Sequence, residues 1–168
     1  DLAASGTNLF AGTWNGGVFL STNNGTSWTA VNNGLMDLDV QALMVSGSNL
    51  FAGTSCGVYV SADNGSSWTT SVFTGVTGSG HVTALAVSGS ELFAGIHSGS
   101  RRVWAGIFHS TDNGETWVPQ MEDVVAYTFV ILANDVYAGT LRNGVLRSTN
   151  NGTSWRTANT GLPYDSLH

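Results

Sequence analysis

Five carboxylates, Asp37, Asp39, Glu122, Asp123 and Asp165, fall in stretches that read as loops between apolar runs. Two carboxyl groups facing each other across a cleft, ~5–10 Å apart, are what a glycoside hydrolase needs. Loop acids are also ordinary solvated turn formers, so both readings stay open. A second set, Trp14, His97, Arg101, Arg102 and Trp104, offers recognition chemistry instead: indoles stack on sugar rings and guanidinium groups bond carboxylates. Four of these five lie in one stretch, His97-Ser-Gly-Ser-Arg-Arg-Val-Trp-Ala-Gly106. They are expected to contact a ligand, and no residue is assigned a catalytic role.

Other chemistries find less support. Asp63-Asn-Gly65 and Asp112-Asn-Gly114 sound like parts of calcium loops, but a hard cation needs several closely spaced carboxylates. The corresponding positions elsewhere are Asn23 and Asn150, so these segments read as turns and no metal is expected. The single cysteine, Cys56, excludes an internal disulfide, and with no neighbouring base it reads as a small loop or core residue. No cofactor motif is evident. Five arginines and no lysine leave a net charge of −6, giving a nucleic acid or an anionic membrane little to bind. No apolar run reaches the ~18 residues that cross a bilayer, so membrane insertion is not expected. The polar, lysine-free surface points to an extracellular or otherwise secreted address, with a signal peptide expected outside this chain.

The elements that hold these residues are set by repetition. Leu-Phe-Ala-Gly-Thr occurs at Leu9–Thr13 and Leu50–Thr54, and returns as Leu-Phe-Ala-Gly-Ile at Leu92–Ile96 and Val-Tyr-Ala-Gly-Thr at Val136–Thr140, at spacings of 41, 42 and 44 residues. About ten residues after each stands a second motif, running Ser21 to Trp28, Ser61 to Trp68, Ser110 to Trp117 and Ser148 to Trp155. Within the second unit, Val40–Val45, Leu50–Thr54, Gly57–Ser61 and Ser67–Thr70 read as four strands joined by tight turns. Runs such as Gly-Val-Phe-Leu are apolar on successive residues, so both faces of each small sheet need cover. Four-stranded units of this length that cover one another by radial stacking make a β-propeller. The expectation is one all-β domain over 1–168 with repeats at about 1–37, 38–78, 79–124 and 125–168. It forms either a four-bladed ring or part of a larger propeller.

The second motif resembles the Asp-box, Ser-x-Asp-x-Gly-x-Thr-Trp, of the sialidase-type (BNR) repeat family, and it recurs in every unit. The resemblance implies a turn between the third and fourth strands of a blade. The acidic position, here Asn23, Asp63, Asp112 and Asn150, bonds the turn's own backbone, and Trp28, Trp68, Trp117 and Trp155 wedge between blades. Asparagine accepts the same bonds as aspartate, and Gly supplies positive φ. Sialidases of this family use an arginine triad gathered from several blades. The first two repeats here contain no arginine, so sialidase activity is not expected. Similar repeats occur in photosystem assembly factors and sorting receptors. A non-enzymatic scaffold for protein or glycan binding leads, with a glycoside hydrolase or a lectin using Trp14 and Trp104 as alternatives.

The third repeat stands apart: the stretch from His97 to Gly106 replaces a short loop such as Ser55-Cys-Gly57, and extra loop length is more often functional than structural. The repeat period also closes on itself. Gly161-Leu-Pro-Tyr aligns with Gly34-Leu-Met-Asp, and reading on from His168 into a second Asp1 places the next Leu-Phe-Ala-Gly-Thr 41 residues after Val136. A homo-oligomer or head-to-tail assembly is therefore expected.

Overall fold

The computed structural model describes residues 1–74, 80–97 and 105–162. The described residues form seventeen strands, and the chain divides into two compact units, Asp1–Ser71 and Val72–His168.

The first unit holds two four-stranded antiparallel sheets. One is built from β1 (Leu2–Ser5), β2 (Asn8–Thr13), β3 (Gly17–Ser21) and β4 (Thr29–Ala30), in that order. The other follows with β5 (Val40–Ser46), β6 (Asn49–Thr54), β7 (Gly57–Ser61) and β8 (Thr69–Thr70). Each is a blade whose neighbours in sequence are neighbours in space, joined by two short hairpins and, between the third and fourth strands, by the longer Asp-box turn. The fourth strand is shorter than the sequence implies, because the Asp-box turn runs on to Trp68 before pairing begins.

Register explains the packing. Ala3 pairs with Phe10, Phe10 with Leu20, and Gly12 with Val18, which puts these residues on one face of the first blade. That trailing face meets the leading face of the second blade, where Val45 pairs with Leu50, and Leu43 and Tyr59 both pair with Ala52. Phe10, Val18, Leu43, Leu50, Ala52, Tyr59 and Trp68 form one buried cluster. Gly12 is required at this seam: a Cβ there would lie 2.5 Å from Val40 Cγ1.

The second unit repeats the plan. Its first sheet contains β10 (His81–Ser88), β11 (Glu91–His97), β12 (Gly106–Ser110) and β13 (Thr116–Glu122), with β9 (Val72–Phe73) added parallel to β13. Its last sheet is β14 (Ala126–Leu132), β15 (Asp135–Thr140), β16 (Gly144–Ser148) and β17 (Arg156–Thr157). The seam is again tight at the repeated glycine, where a Cβ on Gly95 would stand 2.3 Å from the carbonyl oxygen of Ala126. Phe93 sits edge-on to Trp155 across it, with ring centroids 6.4 Å apart.

Candidate functional site

Each Asp-box closes on itself. In the second, the Ser61 hydroxyl donates to Asp63 Oδ1 (2.8 Å) and accepts from Gly65 N–H (2.8 Å), while Asp63 accepts from the backbone N–H (2.8 Å) and hydroxyl (2.6 Å) of Ser67. The third box repeats this with Ser110, Asp112 and Thr116. In the first and fourth boxes the last bond reverses: the Asn23 amide donates to Ser27 Oγ (2.9 Å) and the Asn150 amide to Ser154 Oγ (3.0 Å). Hydrogen bonds from Ser67 hold the Asp63 carboxyl below the usual carboxylate range. At Asp112 burial pushes the other way, but bonds from Thr116 and Ser110 outweigh it. With these groups spent on their own turn, the boxes are framework.

The tryptophans diverge. Trp68 is 5% exposed, and its indole N–H donates to Val31 O (2.7 Å) in the preceding blade. Trp117 is buried against Phe73 of β9, stacked at 5.9 Å, and Trp155 is half-buried against Phe93. Trp28 departs from the expected wedge: it is 39% exposed.

At the opposite end of the strands, the β2–β3 hairpin of the first blade presents Trp14, 74% exposed. Its frame is rigid. Thr13 Oγ1 donates to Gly17 O (2.9 Å), Asn15 N–H donates to Asp39 Oδ1 (2.8 Å), and Gly17 N–H donates to Leu38 O (2.9 Å). Asn32 adds two more bonds, accepting from Val18 N–H (2.7 Å) and donating to Gly16 O (2.9 Å). These bonds tie the hairpin to the segment leading into β5, where Met36 and Leu38 are also exposed. The result is an exposed indole on a hairpin bonded to a segment that carries two further exposed apolar residues.

Asp37 and Asp39 share that segment, and both hold it together. Asp39 bonds Asn15, and Asp37 accepts from Asp39 N–H (3.1 Å). Burial raises the Asp37 pKa, but hydrogen bonds from Asp39 and Cys56 leave it below its ordinary value. Glu122 ends β13, and Asp123 follows at φ 59°, its N–H bonded to Ala105 O (2.8 Å). Asp165 lies outside the described residues, as do Arg101, Arg102 and Trp104. His97 ends β11 opposite His81, in the second unit. Within the described residues, then, Trp14 is joined by Met36 and Leu38, which the sequence does not flag: isolated apolar residues in a linker look like core. Among the described residues no group of three His, Cys, Asp or Glu side chains is gathered, and no helix is long and apolar enough to cross a membrane.

The BNR/Asp-box repeat model matches residues 108–119, the third box. No curated relative matches the chain significantly. Among solved structures, an ancestral GH74 enzyme is similar over 98% of this chain and 25% of its own, with a TM-score of 0.76 at 22% identity. An extracellular domain from B. thetaiotaomicron is similar over 99% of this chain and 23% of its own, with a TM-score of 0.75 at 15% identity. YCF48 bound to D1 peptide is similar over 91% and 52%, with a TM-score of 0.63 at 14% identity. The chain thus spans about a quarter of the length of the first two and about half of the third. Likeness at these identities shows the fold: this is an all-β protein of propeller-type, four-stranded antiparallel blades that carries the Asp-box repeat.

Proposed function

We propose that the chain is a non-enzymatic binding scaffold that works outside the cytoplasm and receives a protein or glycan ligand on the β2–β3 end of its blades. The observation that carries this is Trp14, a largely exposed indole on a hairpin pinned by bonds to Asp39, Leu38 and Asn32. A rigid aromatic anchor loses little entropy on binding and dominates the affinity of the surfaces that use one. Met36 and Leu38 widen the platform beyond a lone surface residue. His97, Arg101, Arg102 and Trp104 of the third repeat are proposed as ligand contacts on their own unit, from their residue types alone. Two of the similar folds lend support, one an extracellular domain and the other bound to a peptide. A hydrolytic reading has less behind it, since Asp37 and Asp39 lie two residues apart and their carboxylates already accept from Asp39 N–H and Asn15 N–H.

Glycan and peptide arrays probed with the chain, beside a glycan hydrolysis screen, test the reading. Trp14→Ala is expected to weaken binding at least ~10-fold, as loss of a tryptophan anchor does, with unfolding unchanged. Full binding by Trp14→Ala, or turnover of a bound glycan, would overturn it.

A further inference from the structure

The seam between the first two blades has two halves, and each half recurs uncovered elsewhere on the chain. After β4, the turn Asn32-Asn33-Gly34-Leu35 closes over the second Asp-box. Trp68 N–H donates to Asn33 O (2.9 Å), a Cβ on Gly34 would lie 2.4 Å from Trp68 O, and Leu35 is buried in the cluster that contains Trp68. After β17, Asn159-Thr160-Gly161-Leu162 is the same turn. Asn159 Oδ1 accepts from Val145 N–H (2.7 Å), as Asn32 Oδ1 accepts from Val18 N–H. The Asn159 amide donates to Asn143 O (2.9 Å), as that of Asn32 donates to Gly16 O. Leu162 N–H reaches back to Asn159 O at 2.9 Å, as Leu35 N–H does to Asn32 O. Gly161 has φ 88° and Gly34 has φ 86°. The clasp is built to the same shape, yet no atom of the described residues lies within 4 Å of a Cβ placed on Gly161.

The face beside that clasp is partly exposed as well, with Arg147 of the same blade lying over the Tyr137 ring. Register equates Val130, Tyr137 and Val145 of the last blade with Ala3, Phe10 and Val18 of the first. Phe10 and Val18 are fully buried, whereas Tyr137 and Val145 are partly exposed and Val130 is 59% exposed. The matching uncovered half is the leading face of the first blade. There Leu9, Ala11, Phe19 and Trp28 stand where the second blade buries Leu50, Ala52, Tyr59 and Trp68.

We infer that two copies of this chain dock head to tail, the Asn159–Leu162 clasp and β14–β16 face of one closing on Trp28 and the β1–β3 face of the other. The contact reproduces the seam between β1–β4 and β5–β8, so Trp28 N–H donates to the partner copy's backbone as Trp68 N–H does to Asn33 O. Both halves sit on every copy and differ from each other, so the contact is heterologous; it ends in a closed ring of copies or extends as a filament.

The side chain of Asn33 lies 3.5 Å from Ser66 O, and the equivalent positions across the new seam are Thr160 and Thr26. In a Cys56→Ser background, Thr26→Cys and Thr160→Cys are made as separate variants, mixed and mildly oxidised. A disulfide-linked species of two chains, one of each variant, is the expected product, abolished by adding Leu162→Asp to the Thr160→Cys chain. The Thr26→Cys/Thr160→Cys double variant serves as the second measurement. If it forms its disulfide within one chain while the mixture forms none, the two faces meet in cis and the inference fails. It fails equally if neither sample cross-links although both remain folded by circular dichroism.

Discussion

Leu35 and Leu162 end the same four-residue turn, built with the same hydrogen bonds and the same glycine φ, yet Leu35 is 7% exposed and Leu162 42%. The difference lies in what each turn covers: Leu35 packs in the cluster that holds Trp68, whereas Leu162 is left largely exposed among the described residues. Local sequence thus makes the clasp, and a neighbouring blade gives it energy.

The same logic grades the four box tryptophans. Trp68→Ala and Trp117→Ala each empty a buried indole site and are expected to cost ~3–5 kcal/mol. Trp28→Ala removes a side chain that is 39% exposed and should cost the isolated chain only about 1 kcal/mol. Urea denaturation of the three variants at low protein concentration checks the order. Equal losses would mean that burial at the seam does not set the cost.

Ala133 is the one strained turn residue of its class. It has φ 55° where the other blades put Gly6, Gly47 and Gly89, at φ 59°, 59° and 63°. A Cβ in the left-handed region costs roughly 1–2 kcal/mol, and the extra freedom of glycine in the unfolded chain returns part of that. Ala133→Gly is expected to raise stability by up to ~1 kcal/mol and Gly47→Ala to lower it. Thermal melts of the pair decide, and a destabilised Ala133→Gly contradicts the reading.

Acid should act on two boxes and spare two. The carboxyls of Asp63 and Asp112 titrate below their ordinary value in the folded chain, so they contribute stability above the unfolded carboxyl pKa near ~3.9, and that contribution fades as pH falls through the lower folded value. Asn23 and Asn150 accept the same backbone bonds without titrating. The double variant Asp63→Asn/Asp112→Asn should therefore lose less stability than wild type between pH 5 and pH 2 (approximate limits from the carboxyl range). Parallel pH profiles would show that the box carboxylates carry none of the acid sensitivity.

What the sequence makes legible is what each repeat does locally. Ser61, Asp63, Asn64 and Gly65 each have a task inside one turn, so the box, the strands around it and the blade can be read from residue types and spacing alone. What escapes is set by distant neighbours. Val72 and Phe73 form a strand only because Thr116 and Trp117, more than forty residues on, accept them in parallel. Trp28 and Trp117 occupy the same motif position and differ only in what lies against them. At the candidate site Trp14 stands out by type and place, whereas Met36 and Leu38 become part of it through the bonds of Gly17 and Asn15 to their segment.

The mass of the unmodified chain in solution tests the head-to-tail seam most directly. Light scattering across a dilution series should give a multiple of 17.5 kDa at high concentration, with Trp28→Ala and Leu162→Asp each falling to a folded 17.5 kDa species. A wild-type chain that stays at 17.5 kDa throughout, with Trp28 as open to solvent quenchers at high concentration as at low, would contradict the account.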